Sequence, residues 1–169
     1  MARHIFLTGE IQVGKSTAIR RFLGNTGVAA DGFVSRIVPA RGRRELYLAR
    51  FDTERGETGK RLAAVIEYPR KRVFGEVFDT HGTEIVASSG KRRLIILDEL
   101  GVLEECSPIF KAAVIRQLDG AIPALGVLKK ADGAFLDSIR ARPDVELVTV
   151  TAENRDEIPE LLYRRFAAV

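Results

Sequence analysis

Apolar residues fall along this chain in two recurrent patterns. Short apolar runs occur at His4-Ile-Phe-Leu-Thr8, Leu94-Ile-Ile-Leu97 and Ala121-Ile-Pro-Ala-Leu-Gly-Val-Leu128. They predict strands buried on both faces, as in a parallel sheet. Val145-Glu-Leu-Val-Thr-Val150 predicts a further strand. Between the runs, Ala18, Phe22 and Leu23 lie at helical spacing and Gly24 supplies a stop. Ser107 to Leu118 predicts a helix, with Ser107 as N-cap and Pro108 at the first helical position. Ala131 to Arg140 predicts another, and a last helix carries Leu161, Leu162 and Phe166. Strands alternating with helices predict a parallel sheet covered by helices on both faces.

The segment between the first helix and Leu94 follows another rule. Val28-Ala-Ala-Asp-Gly-Phe-Val-Ser35 predicts a strand with Gly32 as a bulge or close-approach point. Leu46 to Phe51 predicts its hairpin partner across an arginine-rich loop. Val73 to Phe78 and Glu84 to Ala87 read either as two strands or as a strand and a short helix. The expected fold is therefore a single α/β domain over residues 1–169. It has three α/β/α layers and a mostly parallel central sheet with antiparallel hairpin additions.

Composition narrows the class. At 169 residues, 46% hydrophobic and 30% charged, the chain suits one globular domain with a real core. No apolar run approaches the ~18 residues of a membrane span, and MARHIFLTGE is too soon interrupted to serve as a signal peptide. Cys106 is the only cysteine, so no internal disulfide forms, which suits the cytoplasm. Its neighbours Glu104 and Glu105 disfavour a thiolate nucleophile. Net charge is +4, with basic clusters at Arg41/Arg43/Arg44, Arg70/Lys71/Arg72, Lys91/Arg92/Arg93 and Lys129/Lys130. Nothing in the sequence interleaves them with exposed aromatics, so solvated loop ends are favoured over a nucleic-acid surface. The chain is expected to act as a monomer.

The stretch Gly9-Glu-Ile-Gln-Val-Gly-Lys-Ser16 fits G-x-x-x-x-G-K-[ST], the P-loop or Walker A motif. It follows a predicted strand and opens a predicted helix, the context in which the motif is specific. Backbone N–H groups of Gly9, Glu10, Ile11, Gln12, Val13, Gly14, Lys15, Ser16 and Thr17 would cradle phosphates at the helix N-terminus. Lys15 would reach the β and γ phosphates, and Ser16 would ligate Mg²⁺.

Phosphoanhydride hydrolysis also needs a carboxylate beside the metal and a group that orients water. Leu94-Ile-Ile-Leu-Asp98-Glu99 ends an apolar run on two acids, a Walker B pattern. Asp98 is the expected metal residue with Ser16. Glu99 is the expected general base, and Glu104 is the next candidate. Thr151-Ala-Glu-Asn154-Arg155-Asp156 follows the last strand, at a carboxyl end where open α/β sheets place ligands. Pro159 argues against Asn154 as helix cap and for Asp156. That would leave Asn154 and Arg155 free to pack on a base or ribose.

Four blocks in order carry a resemblance: Thr8-Gly-Glu-Ile-Gln-Val-Gly-Lys-Ser16, Gly32-Phe-Val-Ser35, Asp98-Glu-Leu-Gly-Val-Leu-Glu104 and Val148-Thr-Val-Thr-Ala-Glu-Asn-Arg-Asp156. They resemble the small nucleoside-triphosphatases first described from hyperthermophiles, whose human member is called cancer-related nucleoside-triphosphatase. The resemblance implies a P-loop fold and slow, base-tolerant hydrolysis of ATP, GTP and other nucleoside triphosphates. The chain departs from the family's glycine-phenylalanine block, which usually continues through a threonine and a glutamate to an arginine. Here Ser35 stands for the threonine, Ile37 for the glutamate and Pro39 near the arginine, so a role for that arginine passes to Arg41, Arg43 or Arg44. Lys129-Lys130 stands where relatives often carry a histidine with basic neighbours. Two other functions use the same loop: a small-molecule kinase, and a nucleotide-binding switch associated with nucleic acid.

Overall fold

A computed structural model of the chain describes residues 2–166. Eight strands form one sheet: β1 (His4–Thr8), β2 (Ala30–Ala40), β3 (Arg43–Asp52), β4 (Gly56–Glu67), β5 (Arg70–Val73), β6 (Leu94–Leu100), β7 (Ala124–Leu128) and β8 (Val145–Thr149). Their spatial order is β5-β4-β3-β2-β6-β7-β1-β8. From β2 to β8 all neighbours run parallel, while β3, β4 and β5 add an antiparallel wing. The helices are α1 (Lys15–Thr26), α2 (Gly75–Val77), α3 (Thr83–Ser88), α4 (Pro108–Asp119), α5 (Ala134–Arg140) and α6 (Ile158–Phe166), with a π-helical segment at Phe78–Gly82 and a 3₁₀ turn at Leu103–Cys106.

The runs read as two-sided strands are buried on both faces, which is why they lack alternation. On one face Ile5, Leu7, Ile96 and Val127 meet Ala18, Ile19 and Phe22 of α1 and Ile158 and Leu162 of α6. On the other, Phe6, Phe33, Ile95 and Leu97 meet α3, α4 and α5. There the Phe110 ring sits edge-on to Phe33 and Phe78, with centroids 5.5 and 5.7 Å apart. These are the three expected layers. His4 is buried beneath them, and burial pushes its pKa down. Its Nδ1 accepts the Ala124 N–H (3.0 Å), so the proton sits on Nε2, which donates to the Leu118 carbonyl (3.0 Å). The ring thereby ties β1 to the α4–β7 connection.

Several features differ from the sequence expectation. The first helix is not stopped by Gly24 but runs through it to Thr26, with Gly27 in the left-handed cap position. The strand expected over 28–35 runs on to Ala40, six residues past Val34, its last pairing with β6. Most of Val73–Phe78 and all of Glu84–Ala87 are helical, and the strands of that region are β4 and β5. β4 hides its period because its pairing with β3 shifts register at Leu46/Tyr47 and Leu48/Arg50, and each bulge flips the side-chain alternation. The last helix starts at Ile158, which moves its cap one residue past the expected Asp156, to Glu157, whose carbonyl accepts the Leu161 N–H at 3.1 Å. Gly32 is the close-approach point foreseen: a Cβ there would overlap the Ile96 carbonyl of β6. The Ser107 cap also holds, its hydroxyl accepting the Phe110 N–H at 3.1 Å.

Candidate active site

The loop from Gly9 to Gly14 leaves the carboxyl end of β1 and turns directly into α1. Gly9, Gln12 and Gly14 have φ of +134°, +62° and +112°, a backbone sequence that turns successive N–H groups toward one concavity. Gly9 has a second reason to lack a side chain, because a Cβ would run into the carbonyl of Val150 just past β8. The Val150 N–H in turn binds the Thr8 carbonyl at 2.8 Å. Lys15 folds back over the loop, its Nζ donating to the carbonyls of Gly9 (2.9 Å) and Glu10 (2.6 Å). Burial pushes its ammonium below the ordinary lysine range, against the attraction of Glu99 and Glu10. Thr17 is exposed on the first turn of α1.

β6 delivers Asp98 to the same point. Its Oδ1 accepts the Ser16 hydroxyl at 2.8 Å, which joins the two halves of the site across 82 residues of sequence. Its Oδ2 accepts Nη1 of Arg36 at 3.0 Å. Burial pushes the Asp98 carboxyl up, opposed by Ser16 and Arg36. Arg36 is held in turn by the Glu57 carboxylate, with Nε 2.9 Å from Oε1. Among the described residues no three acidic, histidine or cysteine side chains cluster as metal ligands. Ser16 and Asp98 supply one hydroxyl and one carboxylate, hard oxygen donors that fit Mg²⁺, an ion commonly held by one or two carboxylates together with water and substrate phosphates.

Glu99 occupies a bulge. The β6–β7 register shifts between Asp98 and Leu100, and Glu99 takes φ +123°. The bulge keeps Asp98 buried and swings Glu99 outward, where its Oε1 lies 2.8 Å from Lys129 Nζ at the end of β7. Lys130 makes a separate pair with Glu10 at 2.9 Å. Glu104 is buried, its Oε2 accepting the Gly101 N–H at 2.9 Å, and burial pushes its pKa up to about 7. Cys106 is exposed, and its thiol is pushed up rather than down, first by partial desolvation and then by Asp79 and Glu104.

The structure thus gathers the P-loop, Ser16, Asp98 and Glu99, and adds Arg36, Glu57 and Lys129. The arginine that meets Asp98 is Arg36; Arg41, Arg43 and Arg44 lie at and just beyond the β2–β3 turn, about 10–17 Å farther along the strand at ~3.3 Å per residue. Arg36 had one sequence signal, a position two residues beyond Val34, which pairs with Asp98. That signal is readable only once β2 is known to lie beside β6. Asn154 is not free: its Oδ1 accepts the Thr151 N–H (2.8 Å) and its Nδ2 donates to the Thr149 carbonyl (2.9 Å). Arg155 is exposed, and its side-chain carbons pass within 4.0 Å of where a Gly14 Cβ would stand.

A family model described as NTPase matches residues 4–163 of the chain. The nucleoside-triphosphatase THEP1 of Thermofilum pendens is 31% identical, with 99% of this chain and 97% of that protein covered. The human cancer-related nucleoside-triphosphatase is 36% identical, with coverage of 94% and 93%. Among solved structures, THEP1 from Aquifex aeolicus superposes with a TM-score of 0.75 at 26% identity, covering 96% of this chain and 98% of that one. The solution structure of the human protein gives 0.72 at 27% identity, covering 99% and 100%.

Proposed function

The chain belongs to this family of nucleoside-triphosphatases, and from that premise we propose that it is a Mg²⁺-dependent enzyme that hydrolyses ATP, GTP and other nucleoside triphosphates to diphosphate and phosphate. The observation that carries the proposal is the 2.8 Å hydrogen bond between Ser16 and Asp98. A P-loop hydroxyl and a Walker B carboxylate are in contact, as two donors to one ion would be. When bound, Mg²⁺ would neutralise charge on the β and γ phosphate oxygens.

The chain's own residues do the rest. The loop N–H groups from Gly9 to Thr17 bind the phosphate oxygens, and Lys15 leaves its carbonyl partners to lie against the β and γ phosphates. Water attacks the γ phosphorus in line, the bond to the bridging oxygen breaks, and the water proton passes to the Glu99 carboxylate. Lys129 fixes the direction of that carboxylate, and Arg36 balances the charge of Asp98 before nucleotide and ion bind. Arg155 offers the base or ribose an alkyl stem and a flat guanidinium, which read no particular hydrogen-bonding edge. With the Asn154 amide already occupied, weak base selectivity follows. Residues 1–169 act as one domain, and the enzyme works as a monomer. Among the described residues no helix is long and apolar enough to cross a membrane, and a lone cysteine suits a reducing compartment such as the cytoplasm.

The test is phosphate release from ATP, GTP, CTP and UTP, with and without Mg²⁺ and with and without hydroxyl acceptors. Rates should agree within a few-fold across bases, require the ion, and be indifferent to acceptors. Turnover that appears only with an acceptor would replace hydrolysis by phosphoryl transfer.

A further inference from the structure

The whole net charge of the chain sits at one end of the antiparallel wing. Residues 37–46 and 64–73 hold six of the 27 cations and two of the 23 carboxylates, and the rest of the chain holds 21 of each. Sequence numbering separates these segments, but the sheet joins them. Arg44 pairs with Ile66, and Ile66 pairs with Lys71. The β2–β3 turn at Arg41-Gly42 and the β4–β5 turn at Tyr68-Pro69 therefore lie side by side. Arg41, Arg44, Arg70 and Lys71 are exposed, and none has an ion pair or side-chain hydrogen bond among the described residues.

The aromatic missing from the sequence reading is also here. Tyr68 is 95% exposed. It lines an open groove of about 350 Å³ together with Arg41, Arg43, Arg44, Pro39 and Ile66. Glu67 stands opposite Arg70, so the patch carries a net +4 from six cations and two carboxylates. A ring held in solvent beside such charge is the pairing that binds single strands, cations tracking phosphates and the ring stacking on a base. A membrane surface would call for several large apolar side chains at the tip, whereas Ile37 and Val38, the other exposed ones nearby, are only 44% exposed.

The geometry points to a docking surface for single-stranded nucleic acid on the paired turns at 40–44 and 67–72. It is separate from the phosphate loop, since the β2 turn lies seven residues, about 23 Å of strand, past the residue paired with Asp98.

Fluorescence anisotropy with a labelled oligouridine of about 12 nucleotides tests it. The full chain should bind the strand with a log–log salt slope near −3, as four phosphate contacts at about −0.7 each require. The Arg41→Ala/Arg44→Ala/Lys71→Ala variant should bind at least tenfold more weakly with a slope about 2 units shallower. Tyr68→Ala should weaken binding roughly 5- to 150-fold with the slope unchanged. Removing the same charge elsewhere, as Lys91→Ala/Arg93→Ala/Arg116→Ala, should change affinity less than a few-fold. Melting temperature and phosphate release, measured on each variant, separate lost docking from lost folding or lost turnover. Equal affinity in parent and tip variants overturns the inference. So does tip-dependent binding to phosphatidylserine vesicles without binding to the strand, and so does a duplex bound as tightly as the single strand.

Discussion

Replacing Glu99 with Gln removes one proton acceptor and nearly nothing else. The amide keeps the size of the side chain and still offers an oxygen to Lys129. It also inherits the same backbone at φ +123°, so any strain of the bulge is present in both proteins. The ion pair that is lost is about one-third exposed on each side, a setting in which such pairs contribute about 0–1 kcal/mol. Folding stability should therefore fall by no more than about 1 kcal/mol. A positioned general base contributes ~10²–10⁴-fold to turnover, equivalent to about 3–5 kcal/mol of barrier. The two effects are separable by size. Single-turnover phosphate release should drop by that factor, calorimetric affinity for a non-hydrolysable triphosphate should stay within a few-fold, and the denaturation midpoint should barely move. Parent-like turnover would refute the assignment and hand the role to Glu104. In that case the rate would fall away below pH ~7, where burial leaves the Glu104 carboxyl protonated.

Lys15→Ala should abolish most triphosphate affinity, because the proposed mechanism moves its ammonium from the Gly9 and Glu10 carbonyls onto the β and γ phosphates; unchanged calorimetric binding would count against the phosphate loop. Glu104 has a folded-state pKa of about 7 against an ordinary value of 4.5, so the folded chain binds the extra proton between those values. Its stability relative to Glu104→Gln should then be unaffected below pH ~4.5, decline between pH ~5 and 7, and level off above, by at most about 3 kcal/mol; urea denaturation of both proteins at pH 5 and 8 reads the difference. Asn154→Ala should cost about 1 kcal/mol of stability by freeing the Thr151 N–H, while Arg155→Ala should leave the melting temperature unchanged and weaken nucleotide binding. Equal effects of the two on melting would mean that Arg155 is structural too.

The parallel half of the fold was readable because its strands are buried on both faces and its helices carry their own punctuation, such as Ser107-Pro108 before α4. The phosphate loop was readable because its chemistry is local: eight consecutive residues make it. Arg36, Glu57 and Lys129 were not, since each acts on a partner 21 to 62 residues away and only the order β4-β3-β2-β6-β7 brings them together. β4 escaped for a different reason, because bulges broke the alternation that marks a half-buried strand. The engagement of Asn154 was not legible either, since its amide closes a turn onto Thr149 and Thr151 that no spacing rule announces.

The contact between Arg36 and Asp98 has a consequence for how the site admits any ion. A carboxylate already joined to a guanidinium is not a vacant anion. Asp98 would accept a cation at its Oδ2 only by exchange, with the Arg36 charge leaving as the new one enters. The competitor is tethered to β2, so its local concentration does not change with dilution, and apparent affinity scales with the fraction of time Arg36 is away. Glu57 would govern that fraction, because it already grips the guanidinium from the neighbouring wing and would keep it there once Asp98 is released. A residue that touches neither ion nor nucleotide would thereby set the concentration at which the site fills.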